Sequence, residues 1–169
     1  YYSLPGIELR GEVRREGMRR NVAGRGWFDH EFMSAALEKG QEGWDWFSLL
    51  GRDGSALMIF RIRGARPFYA GSYRPAGSTE VRTFDTVTIE ETGSWTSPKT
   101  GIRYPSGWRL ELPAGMPSTE LAPLLESQEM PPFTDGAPTY WEGAVRSPDG
   151  AFEGYVEMTG YGGSGGPEI

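Results

Sequence analysis

The sequence has no cysteine and only one histidine among its 169 residues. The absence of cysteine excludes disulfides and thiolate metal sites, and a zinc site would need mostly carboxylate ligands, so we predict no metal. No apolar run approaches the roughly 18 residues of a membrane-spanning helix, so we predict no transmembrane segment. Acidic residues outnumber basic ones by 23 to 17, which argues against a nucleic-acid partner. The chain begins without a signal-peptide pattern, and its cellular compartment stays open.

Glycine, proline and aromatic residues are the abundant classes. The chain has 25 Gly and 13 Pro, interspersed with 8 Phe, 8 Tyr and 6 Trp. Frequent turns between short aromatic-rich runs are typical of an all-β sandwich or barrel. Because a barrel also removes exposed sheet edges, we predict an antiparallel β-barrel with at most one or two short helices. The two helix candidates are Phe32–Lys39 and Ser118–Ser127.

Strand and turn signals recur along the chain at short spacing. Ile7–Arg14 alternates apolar with charged residues at the period of two that a half-exposed strand requires. Three dipeptides are predicted hairpin tips: Glu16-Gly17, Asp53-Gly54 and Asp149-Gly150. We predict one domain over residues 1–161, followed by a flexible Gly/Ser-rich tail over 162–169.

The densest group of aromatic and acidic residues is Trp27–Phe32. In a strand, Trp27, Asp29 and Glu31 lie on one face, and His30 lies on the other between two phenylalanines. In one interpretation both acids face solvent and His30 is a hydrogen-bonded structural residue. In the other, Asp29 is a carboxylic acid that keeps its proton in an apolar pocket and can donate it. The residues alone leave both interpretations open.

A second aromatic group is Gly43–Ser48, where Trp44 and Trp46 share one face of a strand and Asp45 lies on the other. Tyr140–Gly143 repeats the mixture of aromatic and acidic residues. Two core tryptophans are the simplest interpretation. However, the strands containing Trp27 and Trp44 follow each other closely, and neighbouring strands of a meander would place both groups in one pocket. We predict that most of the tryptophans are largely buried: Trp27, Trp44, Trp46, Trp108 and Trp141.

In their order, these segments resemble the carotenoid 1,2-hydratase (hydroxyneurosporene synthase) or AttH-like family of lipocalin-like proteins. The resemblance covers nearly the whole chain. It rests on Tyr1–Pro5, Gly26–Phe32, Gly43–Phe47, Trp95–Pro98, Thr100-Gly101, Tyr104-Pro105, Trp108, Gln128-Glu129, Tyr140–Gly143 and Gly154–Tyr161.

The resemblance implies two consecutive lipocalin-like barrels, of which this chain matches the second. The first barrel, in the same precursor or a separate chain, is therefore an expected partner. Members of the family include hydratases that add water to isoprenoid double bonds, and related fungal enzymes that promote intramolecular Diels–Alder cyclisation. Neither activity requires a cofactor, and we predict none.

Three functions are compatible with an apolar pocket that carries few polar groups. A hydratase would use Asp29 as the acid and His30 or Glu31 to orient water, with tryptophan faces stabilising the cation. A pericyclase would fold a polyene into its reactive conformer, and a carrier would only sequester an apolar ligand. We rank the hydratase first. The predicted substrate-binding residues are Trp27, Trp44, Asp45, Trp46, Tyr140, Trp141 and Glu142.

Overall fold

The computed structural model describes residues 1–32, 37–132 and 138–163. These residues form fourteen β-strands and no helix, so none of them lies in a helix long and apolar enough to cross a membrane. The strands are β1 (Tyr2–Arg15), β2 (Met18–His30), β3 (Gln41–Gly51), β4 (Ala56–Gly64), β5 (Phe68–Arg74), β6 (Arg82–Phe84), β7 (Thr88–Glu91), β8 (Ser94–Thr96), β9 (Arg103–Pro105), β10 (Trp108–Glu111), β11 (Thr119–Pro123), β12 (Glu129–Met130), β13 (Tyr140–Arg146) and β14 (Phe152–Thr159).

The chain divides into two compact units, Tyr1–Ser34 and Ala35–Ile169. The first unit is a long antiparallel hairpin in which β1 pairs with β2 along its whole length. Its tip is the predicted Glu16-Gly17, where both residues have positive φ, 51° and 76°. Two successive positive φ values are the geometry of the tight turns that match strand twist, and glycine adopts them without strain.

The second unit contains a ten-stranded antiparallel sheet whose main path runs β6-β5-β4-β3-β14-β13-β11-β10-β7, with β12 paired to β13. The sheet is strongly curled into a half-barrel, and β8 and β9 form a separate hairpin. Two predicted tips, Asp53-Gly54 and Asp149-Gly150, connect β3 to β4 and β13 to β14. The prediction of an all-β antiparallel fold is confirmed.

One face of the half-barrel forms the core, because side chains alternate between the two faces of each strand. Phe47 and Leu49 of β3 are fully buried, as are Trp108 of β10 and Val156 of β14. The intervening residues of β3 and β14 lie on the opposite, outer face and are mostly half-buried or exposed. A predicted site residue can therefore be enclosed by the half-barrel only if its side chain lies on the inner face.

The helix predicted over Ser118–Ser127 is wrong, because β11 occupies Thr119–Pro123. Thr119 and Leu121 pair with β10, and Leu121 is buried in the core, so tertiary pairing outweighs the weak helical pattern. Of the other helix candidate, Leu37–Lys39 is not helical, and Met33–Ala36 lies outside the described residues.

The predicted pairing of the two aromatic strands is also wrong. Both edges of β3 are occupied, one by β4 and the other by β14, so no edge remains for β2. The sheet instead brings the last strand of the chain, β14, beside β3. This arrangement determines the surroundings of Asp45, which pairs in register with Met158.

Candidate functional site

A buried ion pair lies on the inner face of the half-barrel where β3 begins and β4 ends. Asp45 is fully buried and stands directly opposite Arg61 across the two strands. Arg61 Nε donates to Asp45 Oδ2 over 2.6 Å, and Arg61 is only 8% exposed. Ionised groups of this kind remain in a protein interior only when their partners compensate the loss of water.

Two further side chains complete this cluster, which we call the Asp45 centre (Asp45, Arg61, Arg63 and Tyr161). Arg63 Nε lies 3.4 Å from Asp45 Oδ1, and its guanidinium stacks over the Tyr161 ring at 3.8 Å. The Tyr161 hydroxyl donates to Asp45 Oδ1 over 2.9 Å. Gly43 leaves the space that Arg63 occupies, because a Cβ there would clash with the Arg63 guanidinium and the Thr159 carbonyl.

Burial dominates the electrostatics of this centre. It raises the pKa of the Asp45 carboxyl, whereas Arg61 and Arg63 oppose that effect by favouring the ionised form. Burial lowers the pKa of Arg61, but the charge and hydrogen bond of Asp45, together with Tyr161 and Glu91, outweigh that effect, so the guanidinium stays protonated. Burial, reinforced by Asp45, raises the pKa of Tyr161 well above that of a free tyrosine. Tyr161 is therefore a hydrogen-bond donor at neutral pH.

An open cleft of about 460 Å³ borders the Asp45 centre. Tyr161 belongs to both, and Arg61 Nη2 reaches the cleft by donating to Glu91 Oε1 over 3.2 Å. The other lining residues come from the end of β7 and the β8–β9 hairpin: Thr92, Gly93, Ser94, Arg103, Tyr104 and Pro105. A cleft of this volume falls within the range of roughly 300–1,000 Å³ seen for small-molecule sites.

A single carboxylate, Glu129, holds the β8–β9 wall of this cleft. It accepts hydrogen bonds from Ser97 Oγ and Thr100 Oγ1, both 2.6 Å long, and from the Tyr104 hydroxyl at 3.1 Å. Burial and the charge of Glu129 raise the pKa of Tyr104, so this phenol also stays protonated. Tyr104 in turn stacks against Trp95, with ring centroids 6.2 Å apart.

Asp45 is the one predicted site residue that lies in this centre, and several of the others lie on the outer face of the sheet. The rings of Trp44 and Tyr140 meet edge to face at 5.9 Å. Trp44 Nε1 donates to Glu157 over 2.8 Å, and Glu142 accepts from the Tyr155 hydroxyl. Apart from Trp27, which lies on β2 of the hairpin unit, the predicted binding residues thus divide between two faces of one sheet.

The predicted burial of the tryptophans holds fully for two of the five. Trp108 and Trp141 are buried side by side in the core, and the Trp141 indole donates to the Glu126 carbonyl over 2.7 Å. Trp27, Trp44 and Trp46 are half-buried.

The predicted catalytic residues belong to the hairpin unit. Asp29 Oδ1 accepts from the Tyr1 hydroxyl at 2.6 Å and from Ser3 Oγ at 2.5 Å. His30 lies on the other face of the hairpin, where its ring stacks on Phe32 at 4.2 Å and its Nδ1 is 3.2 Å from the Tyr2 hydroxyl. Glu31 follows the end of β2 and is exposed.

The family model for AttH-like proteins matches residues 1–161, nearly the whole chain. The chain belongs to the AttH-like family. Its fold is shared with the crystal structure of a protein from Nitrosomonas europaea assigned as AttH, at 33% identity and a TM-score of 0.83. That alignment covers 95% of this chain and 51% of the other.

Kievitone hydratase from Nectria haematococca also has this fold, with a TM-score of 0.70 at 19% identity over 93% of this chain. That alignment too covers 51% of the other chain, so this AttH-like chain spans about half the length of both solved relatives. A search of curated proteins found no significant match. These similarities confirm the predicted lipocalin-like fold and the predicted family.

The partners of Asp45 in this AttH-like chain were missed by the sequence analysis, although β4 carries a signal for two of them. Arg61 and Arg63 follow Leu57 and Ile59 at the spacing of one strand face, and that face is apolar. Two arginines on the buried face of a strand require a buried acid opposite them. Tyr161 and Glu91 carry no comparable signal, because only the curl of the sheet brings them to β4.

Proposed function

We propose that this chain is hydratase-like: it binds an apolar polyene or isoprenoid and adds water across one C=C bond. In such a reaction an acid gives a proton to one alkene carbon, the oxygen of water adds to the other, and the proton that this water then loses restores the acid. Membership of the AttH-like family and the fold shared with kievitone hydratase support the proposal.

The observation that carries the proposal is the Asp45 centre at the edge of the cleft. Its two arginines and one carboxylate sit among core residues, where each ion loses several kcal/mol of hydration. Perturbed ionisable groups that border a cleft are typical of binding and catalytic sites. The neighbouring residues of the inner face form the apolar core, so the charged cluster stands out from its surroundings.

Asp29 is our proposed proton donor. Both hydroxyl donors contact Oδ1, so Oδ2 can carry the proton that the alkene receives. Of the two residues proposed to orient water, Glu31 is the better candidate, because Asp29 and His30 occupy opposite faces of the hairpin. Trp27, Trp44, Trp46, Tyr140 and Glu142 remain proposed ligand contacts, whereas Trp141 is buried in the core.

Mass spectrometry after incubation with an acyclic isoprenoid tests the proposal. We expect a product heavier than the substrate by one water, and Asp29→Asn should lower its rate by about 10²-fold or more if Asp29 is the acid. Asp53→Asn, at a hairpin tip, is the matched control and should leave the rate unchanged.

Three other outcomes of the assay with the wild-type chain contradict hydration. A product of unchanged mass with altered absorbance would identify a pericyclase instead. Binding without any product would identify a carrier, and neither binding nor product would remove the ligand-binding proposal altogether. An unchanged rate in Asp29→Asn would exclude Asp29 as the acid, and Glu31→Gln would be measured next.

We also propose that the partner of this chain is a first lipocalin-like barrel. The solved relatives supply the support, because this chain accounts for only 51% of each of them. Sequencing the DNA on both sides of the coding region tests this proposal. A lipocalin-like segment in the same reading frame or in an adjacent gene is the expected result, and flanking genes without one would contradict it.

A further inference from the structure

The lining of the cleft beside the Asp45 centre includes both an acceptor and a donor of hydrogen bonds. Glu91 contributes a carboxylate whose side chain is 45% exposed. Arg61 donates to Oε1 of this carboxylate, so Oε2 can accept a hydrogen bond from a bound molecule. Arg103 contributes a guanidinium that is held by a hydrogen bond of 2.9 Å from Nη2 to Ser94 Oγ.

The signs of these charges select the kind of group that the cleft can bind. A charged ligand meets one attractive and one repulsive residue here, because Glu91 repels anions and attracts cations while Arg103 does the opposite, so a net charge on the ligand brings little gain. A neutral hydroxyl suits both residues, because it donates to a carboxylate and accepts from a guanidinium. Hydrogen bonds to charged groups are also stronger than those between neutral groups.

The floor of the cleft is aromatic. The rings of Tyr104 and Tyr161 lie 5.6 Å apart, and their hydroxyls are engaged elsewhere, with Glu129 and Asp45. Tyr104 and Pro105 are buried, so the half-buried Tyr161 provides the ring surface that a ligand can contact. An apolar chain can lie against the Tyr161 ring while its polar end reaches Glu91.

We infer that this cleft binds the hydroxyl-bearing end of a neutral isoprenoid alcohol, with Glu91 as the acceptor and Arg103 as the donor. The inference rests on the proposed function for the isoprenoid character of the ligand. The recognition of a neutral hydroxyl rests on the residues of the cleft alone.

Two probes of the same carbon skeleton test the inference: farnesol, which carries a terminal hydroxyl, and farnesene, which does not. Their dissociation constants are measured by quenching of intrinsic fluorescence, since Trp95 stacks on Tyr104 at the cleft. We expect farnesol to bind about tenfold more tightly or better, because the preference arises from hydrogen bonds to charged groups.

Adjacent residues of β7 provide a matched pair of variants. Glu91→Gln removes the charge that faces the cleft, and the Gln side chain can still accept from Arg61. Glu90→Gln removes the same charge from the other face of the strand, where Glu90 pairs with Arg109 at 2.7 Å. The preference for farnesol should fall several-fold in Glu91→Gln and stay unchanged in Glu90→Gln. Arg103→Met is a second cleft variant with the same expectation, in case Glu91→Gln unfolds.

Equal binding of the two probes by the wild-type chain would overturn the inference. So would an undiminished preference for farnesol in folded Glu91→Gln, or in Arg103→Met where Glu91→Gln does not fold. The assay measures binding without turnover, which separates this inference from the proposed function. A chain that prefers farnesol yet adds no water keeps the hydroxyl site and loses hydration. A chain that adds water with no such preference keeps hydration and loses the site.

Discussion

Replacement of Asp45 by alanine should destabilise the second unit more than removal of any exposed acid. Asp45 is fully buried, and its partners Arg61 and Arg63 have side chains that are 10% and 16% exposed. The variant leaves two guanidiniums without their shared carboxylate and removes the acceptor of the Tyr161 hydroxyl.

The size of the effect follows from this burial. Breaking a buried ion pair by removal of one partner costs about 3–5 kcal/mol, because the remaining charge is uncompensated. For a domain of this size, each kcal/mol lowers the Tm by roughly 2–4 °C, so we expect a decrease of roughly 6–20 °C. This expectation concerns the stability of the fold and does not depend on whether the chain catalyses a reaction.

Urea unfolding followed by tryptophan fluorescence measures the change. The midpoint should fall while the slope stays constant, because the unfolded chain exposes the same surface. Glu153→Ala is the control: its pair with Arg146 is exposed and 3.6 Å long, so we expect no resolvable change.

A second variant distinguishes the loss of charge pairing from the loss of packing. Asp45→Leu combined with Arg61→Met replaces the closest pair with apolar side chains and should destabilise less than Asp45→Leu alone. A loss below about 1 kcal/mol in Asp45→Ala would refute the reasoning, since that value belongs to exposed pairs. A double variant no more stable than Asp45→Leu would do the same.

Three further expectations concern positions elsewhere in the chain. Gly154→Ala should destabilise by about 1–3 kcal/mol in urea unfolding, because a Cβ would press into the backbone of β3, whereas Gly11→Ala meets open space and should not. The backbone N–H of Ala151 donates a hydrogen bond to Asp149 and lowers the pKa of that carboxyl. The contribution of Asp149 to stability is therefore present above the usual pKa of about 4 and is lost as the pH falls through the lowered value. Unfolding experiments between pH 2 and 6 should therefore show a smaller acid loss in Asp149→Ala than in the wild type. Alkaline titration by ultraviolet absorbance should show Tyr161 ionising well above the usual pKa of about 10, and the late component should lose the absorbance of one tyrosine in Tyr161→Phe while Tyr104 still ionises late.

Local patterns were sufficient to predict much of the fold. Asp53-Gly54 and Asp149-Gly150 are turn signals that depend only on neighbouring residues, and both connect strands as predicted. The alternation in β3 correctly separated Trp44 and Trp46 from Asp45. The failed helix over Ser118–Ser127 shows the limit of local patterns, since pairing with β10 decides its conformation.

The candidate site could be predicted only in part, because its residues meet through contacts distant in sequence. Asp45 was named as a site residue, but alternation cannot say which face of a strand points inward. Tyr161 reaches Asp45 across 116 positions of sequence, and Glu91 reaches Arg61 across 30. Such contacts follow from the curl of the sheet and leave no local signal in the sequence.

A crystal structure of the chain with farnesol bound tests the central claim most directly, because the aromatic residues of β3 and the cleft lie on different faces of the sheet. The account predicts the farnesol hydroxyl within hydrogen-bond distance of the Glu91 carboxylate, with the chain of the ligand against the ring of Tyr161. A structure in which the cleft is empty, or in which the farnesol hydroxyl lies away from Glu91, would contradict it.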